Sequence, residues 1–216
     1  MLSQIKQDMQ NLANPEKAKL LQRFFKTGKG EYGEGDIFLG IMVPEQRKIA
    51  KKYPNLTLNE IQQLLKSKIR EHRLVSLFIL INKYQKTNKK EEIFNFYLKN
   101  TKKINNWDLI DLSAPKIVGD YLLDKEKDIL YKLAKSENLW EKRISILATF
   151  AFINNNQFEH TLKISEILLN DKHDLIHKAV GWALREVGKR DQELEEQFLK
   201  KHLKNLPRTT LRYAIE

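Results

Sequence analysis

The sequence predicts an all-α protein, an α-solenoid of paired, antiparallel helices. Three observations carry this reading. Apolar residues recur at three-and-four spacing along nearly the whole 216-residue chain, and strand-like alternation is almost absent. Four similar segments, Arg73-Leu-Val-Ser-Leu77, Asp108-Leu-Ile-Asp-Leu112, Arg143-Ile-Ser-Ile-Leu147 and Lys178-Ala-Val-Gly-Trp182, begin at 73, 108, 143 and 178, a constant step of 35. A fixed period of this size marks a helical repeat array. Loops between the expected helices are short, which makes neighbours pack antiparallel.

Taken in order, Met1-Leu-Ser-Gln-Ile-Lys opens an amphipathic helix over 1–13, and Asn14-Pro15 starts a second over 15–27. Gly28-Lys-Gly-Glu-Tyr-Gly-Glu-Gly35 holds four of the eight glycines. Its glycine spacing matches a dinucleotide-binding pattern, but that motif needs a preceding strand. Here a helix precedes it, so it reads as a mobile loop joining two helices. Val43-Pro44 starts 44–52, and the capping box Thr57-Leu-Asn-Glu60 starts 57–67. Helices at 69–85 and 89–102 follow, then 106–122 from Asn105-Asn106. The rest are expected at 126–136, 139–154, 158–170, 173–189, 191–202 and, from Leu206-Pro207, 207–216. That last stretch would be helical to its final residue, and an end at or near a cut or a disordered tail is expected. The organisation expected is one repeat domain over 1–216. Residues 1–52 hold the N-terminal helices and glycine-rich loop, and 57–216 hold the repeats. The second helix of each pair carries the signature and would line a concave basic groove.

Lys and Arg number 39 against 28 Asp and Glu, a formal net charge of +11. That excess favours a polyanionic partner, nucleic acid first. There are no cysteines, which excludes disulfides, thiol catalysis and Cys-based metal sites. No charged-then-apolar leader opens the chain, and the apolar runs 74–81 and 144–153 are too short to span a bilayer. A cytoplasmic protein is expected, nucleoid-associated when bound to DNA.

Three of the four signature segments open with a cation, whereas the second opens with Asp108 and carries a further acid, Asp111. Trp107 and Asp111 lie four apart and share a helix face. Pro115 cannot donate to the carbonyl of Asp111, so the helix should bend there. Asp108 suits the first turn of a helix dipole. Asp111 is either a solvated surface acid or a chemical group. Lys178, Trp182, Arg185 and Lys189 fall at i, i+4, i+7 and i+11, one cationic stripe with an indole inside it. The alternative is a solvated basic face with Trp182 as packing. Trp140 and Arg143 make a similar pair. Arg73, Arg143, Lys178 and Arg208 would form a ladder of cations along a phosphate backbone. His173 and His177 lack a third metal ligand, and Ser113 has no nearby histidine, so no metal and no serine nucleophile is expected.

Asn106-Trp-Asp-Leu-Ile-Asp-Leu-Ser-Ala-Pro115, Leu139-Trp-Glu-Lys-Arg143, Lys178-Ala-Val-Gly-Trp-Ala-Leu-Arg-Glu186 and Phe38-Leu-Gly-Ile-Met-Val-Pro-Glu-Gln-Arg47 resemble the AlkD-type DNA alkylation repair family. The resemblance implies a HEAT-like, armadillo-type solenoid that excises N3- and N7-alkylated purines from duplex DNA without cofactors; a monomer is expected. It implies Asp111 as the catalytic carboxylate, with Trp107 and Trp182 flanking the lesion's deoxyribose. It implies Arg143 and Arg185 on backbone phosphates, to which the cationic stripe and ladder add Lys178, Arg73, Lys189 and Arg208 as expected DNA-binding residues. The family leaves its lesion stacked in the duplex. Phe24 departs from the pattern, since members can carry tyrosine there. Asp111→Asn is expected to leave folding and DNA affinity intact, or to improve affinity, while nearly abolishing release of 7-methylguanine. The alternatives are a non-catalytic solenoid that binds branched or damaged DNA or RNA, and a protein-interaction scaffold. A pure binder gains nothing from a carboxylate beside phosphates.

Overall fold

The computed structural model describes residues 1–216, and its regular elements are helices. In order these are α1 (Leu2–Asn11), α2 (Pro15–Phe24), α3 (Val43–Lys52), α4 (Leu58–Leu65), α5 (Arg70–Lys86), α6 (Lys90–Lys99), α7 (Trp107–Ala114), α8 (Asp120–Leu122), α9 (Asp128–Ala134), α10 (Leu139–Ala148), α11 (Phe150–Ile153), α12 (Glu159–Leu168), α13 (Asp174–Gly188), α14 (Gln192–His202) and α15 (Arg208–Ile215). Each expected helix is present, with ends that differ by a few residues. The start signals act as expected. Asn14 Oδ1 accepts from Lys17 N at 3.0 Å, and Thr57 and Glu60 form both bonds of their capping box.

Two expected helices are interrupted. The stretch after Pro115 is π-helical over Pro115–Gly119, because proline removes one donor from the ladder and the chain widens a turn to continue. The 139–154 helix breaks at Thr149, whose hydroxyl donates back to the Ile146 carbonyl at 2.7 Å.

The chain divides into two compact units, Met1–Leu109 and Ile110–Glu216, with the division inside α7. A single repeat domain over 1–216, with its change of character between 52 and 57, is a proposal about how the whole is organised. In the first unit, α4 and α3 pack on α5, which buries Leu74, Leu77, Ile79 and Leu80 completely. In the second, α10 packs on α9 and α13, and α13 packs on α15. Gly181 makes that last contact possible, since a Cβ there would lie 2.5 Å from the Thr210 carbonyl oxygen.

One loop of the first unit is fixed by a buried carboxylate. Glu71, fully buried on α5, accepts from the backbone N–H groups of Leu39, Gly40 and Ile41 at 2.8–3.3 Å. Three converging N–H dipoles satisfy a charge that would otherwise be costly to bury. Gly40 takes φ +82° there, and a Cβ would sit 2.1 Å from the Asn14 carbonyl oxygen. Gly40→Ala should therefore cost about 2–4 kcal/mol in chemical denaturation, from left-handed strain plus overpacking. A loss near zero would show that the loop can shift away.

Candidate active site and nucleic-acid interface

The charged residue that opens each repeat signature is ion-paired. Arg73 Nη2 meets Asp36 Oδ2 at 2.5 Å, both side chains nearly fully buried. Asp108 pairs with Arg70, also buried. Arg143 pairs with Asp111, and Lys178 Nζ meets Asp174 Oδ2 at 2.6 Å at a more open position. In the first three pairs the partner comes from an earlier part of the chain, 37, 38 and 32 residues away. The acid at 108, where the other repeats have a cation, is thus the same kind of pair with its charges exchanged. Arg70 supplies the cation from the preceding repeat.

This revises the cation ladder at two rungs. Arg73 and Arg143 are buried, and each is committed to a carboxylate rather than held out to solvent. The reason is physical: a guanidinium this deep needs a counter-anion. Arg185 differs. It is half-buried on α13, and its buried Nε, like that of Arg73, has no hydrogen-bond partner. Arg208 is exposed at the start of α15. Lys189 is exposed, with Nζ 2.6 Å from Glu186. Trp182 is half-buried, its ring edge-on to Phe150 at 4.6 Å. Trp140, by contrast, is core.

Asp111 stands on α7, one turn after Trp107. Its two oxygens accept from Arg143 Nε at 2.8 Å and Nη2 at 2.7 Å, a two-pronged pair. Arg143 Nη1 donates to the Leu175 carbonyl at 2.6 Å, so all three guanidinium nitrogens are occupied and the group is locked. The carboxylate side chain is 14% exposed against 5% for the arginine, so the negative end of the pair is the more accessible one. Burial pushes the Asp111 carboxyl above its ordinary range, and Arg143 pulls it back. In the same unit, His173 Nδ1 caps α13 by accepting from Leu175 N at 3.1 Å, and His177 Nε2 lies 2.5 Å from the Asp171 carbonyl. These histidines do structural work at the helix start.

Trp107 sits in an aromatic cluster of the first unit. Its ring stacks on Phe25 at 5.3 Å, and the exposed Phe24 meets it edge-on at 6.0 Å. Indole Nε1 donates to Tyr32 Oη at 3.3 Å. Arg70 lies over the Phe25 ring at 4.7 Å. Phe25, Tyr32 and Arg70 were not among the residues singled out from sequence. The one signal for Tyr32 was an aromatic inside a glycine-rich loop. That segment is a run of turns between α2 and α3 with no strand before it, which excludes the dinucleotide motif.

The model of one protein family, described as DNA alkylation repair enzyme, matches residues 5–216. The chain belongs to the DNA alkylation repair enzyme family. Among solved structures, the chain is similar to a protein from Enterococcus faecalis titled a predicted DNA alkylation repair enzyme. The TM-score is 0.74 at 20% identity, over 94% of this chain and 95% of that one. It is also similar to AlkD2 from Streptococcus mutans, with a TM-score of 0.57 at 19% identity over 93% and 97%. A third is smu.31 from Streptococcus mutans UA159, with a TM-score of 0.56 at 19% identity over 92% and 97%. At these identities the likeness shows a shared fold. No curated protein matches the chain. A DNA alkylation repair enzyme acts on DNA, which agrees with the +11 charge. No helix of this family member is long and apolar enough to cross a membrane.

Proposed function

We propose that this chain is a DNA glycosylase that hydrolyses the N-glycosidic bond of N3- or N7-alkylated purines in duplex DNA. The observation that carries the reading is the two-pronged Asp111–Arg143 pair, in which the carboxylate is the less buried end. An alkylated purine of this kind is cationic and leaves readily. Cleavage moves the bonding electrons onto the purine and leaves an oxocarbenium-like sugar. Asp111, held in place by Arg143, stabilises that charge and accepts a proton from the water whose oxygen bonds to C1′. Arg143 is then a positioning residue rather than a phosphate contact. Trp182, and Trp107 from one turn earlier on α7, would offer indole faces to the cationic sugar. Arg185, Arg208, Lys178 and Lys189 would grip the backbone, and no metal or organic cofactor is needed. The protein would act as a monomer in the cytoplasm.

A second reading draws on the same geometry. Asp111 could be one more structural acid like Asp36 and Asp108, in a non-catalytic DNA-binding protein. Against this, Asp36 and Asp108 side chains are 5% and 9% exposed, and Asp111 is the most open of the three. Incubation with duplex DNA carrying 7-methylguanine, followed by chromatography of free bases, separates the readings. Release of the base supports the glycosylase, and binding without release supports the other. Arg185→Ala should weaken duplex binding and make its salt dependence shallower by about one unit of log–log slope. An unchanged slope would remove Arg185 from the interface.

A further inference from the structure

A cavity of about 600 Å³ opens in the first unit, outside the groups discussed so far. Its lining comes from the end of α3, the start of α4, the end of α5 and the start of α6. Four lysines, Lys51, Lys83, Lys86 and Lys89, surround it, against one acid, Glu92. None of the four lysines makes an ion pair or hydrogen bond through its ammonium group. Elsewhere many of this chain's lysines do find carboxylates: Lys48, Lys52, Lys142, Lys163, Lys178, Lys189, Lys200 and Lys201 are all paired. A lysine in the last turn of a helix is explained by the helix dipole, and Lys51, Lys83 and Lys86 hold such places. The dipole does not explain why the lysines of two helix ends meet around one cavity with Lys89.

The rest of the lining fixes the kind of ligand. Pro54, Leu58 and Ile93 give the cavity apolar surface. No arginine and no aromatic ring lines the cavity, so neither forked carboxylate recognition nor ring stacking is offered. Ammonium point charges around an apolar wall suit a body of nucleotide size carrying closely spaced phosphates.

We propose that this lysine-rimmed cavity binds a nucleoside phosphate. The phosphates lie among Lys83, Lys86, Lys89 and Lys51, and the ring lies on Pro54, Leu58 and Ile93. The same chemistry is presented by a free nucleoside triphosphate and by the end nucleotide of a 5′-phosphorylated strand.

The test measures binding of a fluorescent ATP analogue and of a labelled 5′-phosphorylated oligonucleotide, with the full chain and with Lys83→Glu/Lys86→Glu. These lysines stand outside the groups assigned to base excision. Release of 7-methylguanine by the double variant therefore reports separately on the excision reading. Saturable binding of the analogue that weakens at least tenfold in the variant supports the proposal with a free nucleotide as ligand. Binding of the oligonucleotide alone, lost in the variant and abolished by removing its 5′-phosphate, supports it with a strand end as ligand. No saturable binding of either probe, or binding that the charge reversal leaves unchanged, overturns it.

Discussion

Arg143→Met should destabilise the Ile110–Glu216 unit by about 3–5 kcal/mol, the largest stability effect expected from a single change in that unit. Arg143 fills both oxygens of Asp111 and a third bond to the Leu175 carbonyl. Methionine matches the length of the aliphatic stem but leaves a mostly buried carboxylate without a counter-charge. The sign of the pH response follows from the Asp111 carboxyl, which burial raises and Arg143 lowers. A value raised in the folded state means that the folded chain holds the proton more tightly than the unfolded one. Stability is then greatest at low pH and is lost as pH rises through the folded-state value. In Arg143→Met the opposing pull is gone, so the variant should regain stability on acidification more than the native chain does. A double change, Asp111→Leu/Arg143→Met, removes both charges and should recover most of the loss, because well-packed apolar groups replace a buried pair at little cost. Urea denaturation at two pH values checks all three statements. A single-variant cost below about 1 kcal/mol would mean that the pair contributes no more than an exposed one.

Asp111→Asn should lower single-turnover release of 7-methylguanine by about 100–1,000-fold, the size expected for losing a fixed charge and a proton acceptor in the transition state. Unlike the sequence-based expectation, the structure does not allow this variant to fold without penalty. Asparagine keeps one acceptor for Arg143 but turns an amide donor toward the other prong. A cost of about 1–3 kcal/mol follows from the unfilled buried donor. The rate must therefore be compared at a temperature where both chains are folded by circular dichroism. DNA affinity should hold or rise, since a negative charge near phosphates is removed. Retained excision in a folded Asp111→Asn chain would strip the carboxylate of its role.

Much of the architecture was legible because helix periodicity is a local property. Apolar residues three and four apart, Asn14, Thr57 with Glu60, and Pro115 each act within a turn or two, and the helices start, or turn π-helical, where they indicate. The buried pairs were not legible as pairs, because Asp36–Arg73, Arg70–Asp108 and Asp111–Arg143 join residues more than thirty positions apart. A cation recurring every 35 residues looks the same whether it faces phosphate or an acid from the previous repeat. The usable signal was the opposite charge standing about one repeat away in each case. In sequence Asp108 is explained by the helix dipole, and its buried partner Arg70 adds a structural reason that no local pattern shows. Asp111, the other acid of that segment, is the more open carboxylate and keeps the chemical reading. Trp107 was singled out for its spacing from Asp111, but its contacts with Phe25 and Tyr32 depend on how the glycine-rich segment folds back, which no local pattern encodes.

The central claim is that a carboxylate fixed by a buried guanidinium drives loss of an alkylated purine from DNA. The most direct measurement is single-turnover release of free base from a duplex carrying one 7-methylguanine, with the native chain and Asp111→Asn run side by side at matched folded fractions. The account predicts that the native chain frees the base and leaves an abasic site, and that the variant binds the duplex yet frees little above the spontaneous background. Equal rates for the two chains, or native chain that binds the lesion and never releases it, would contradict it.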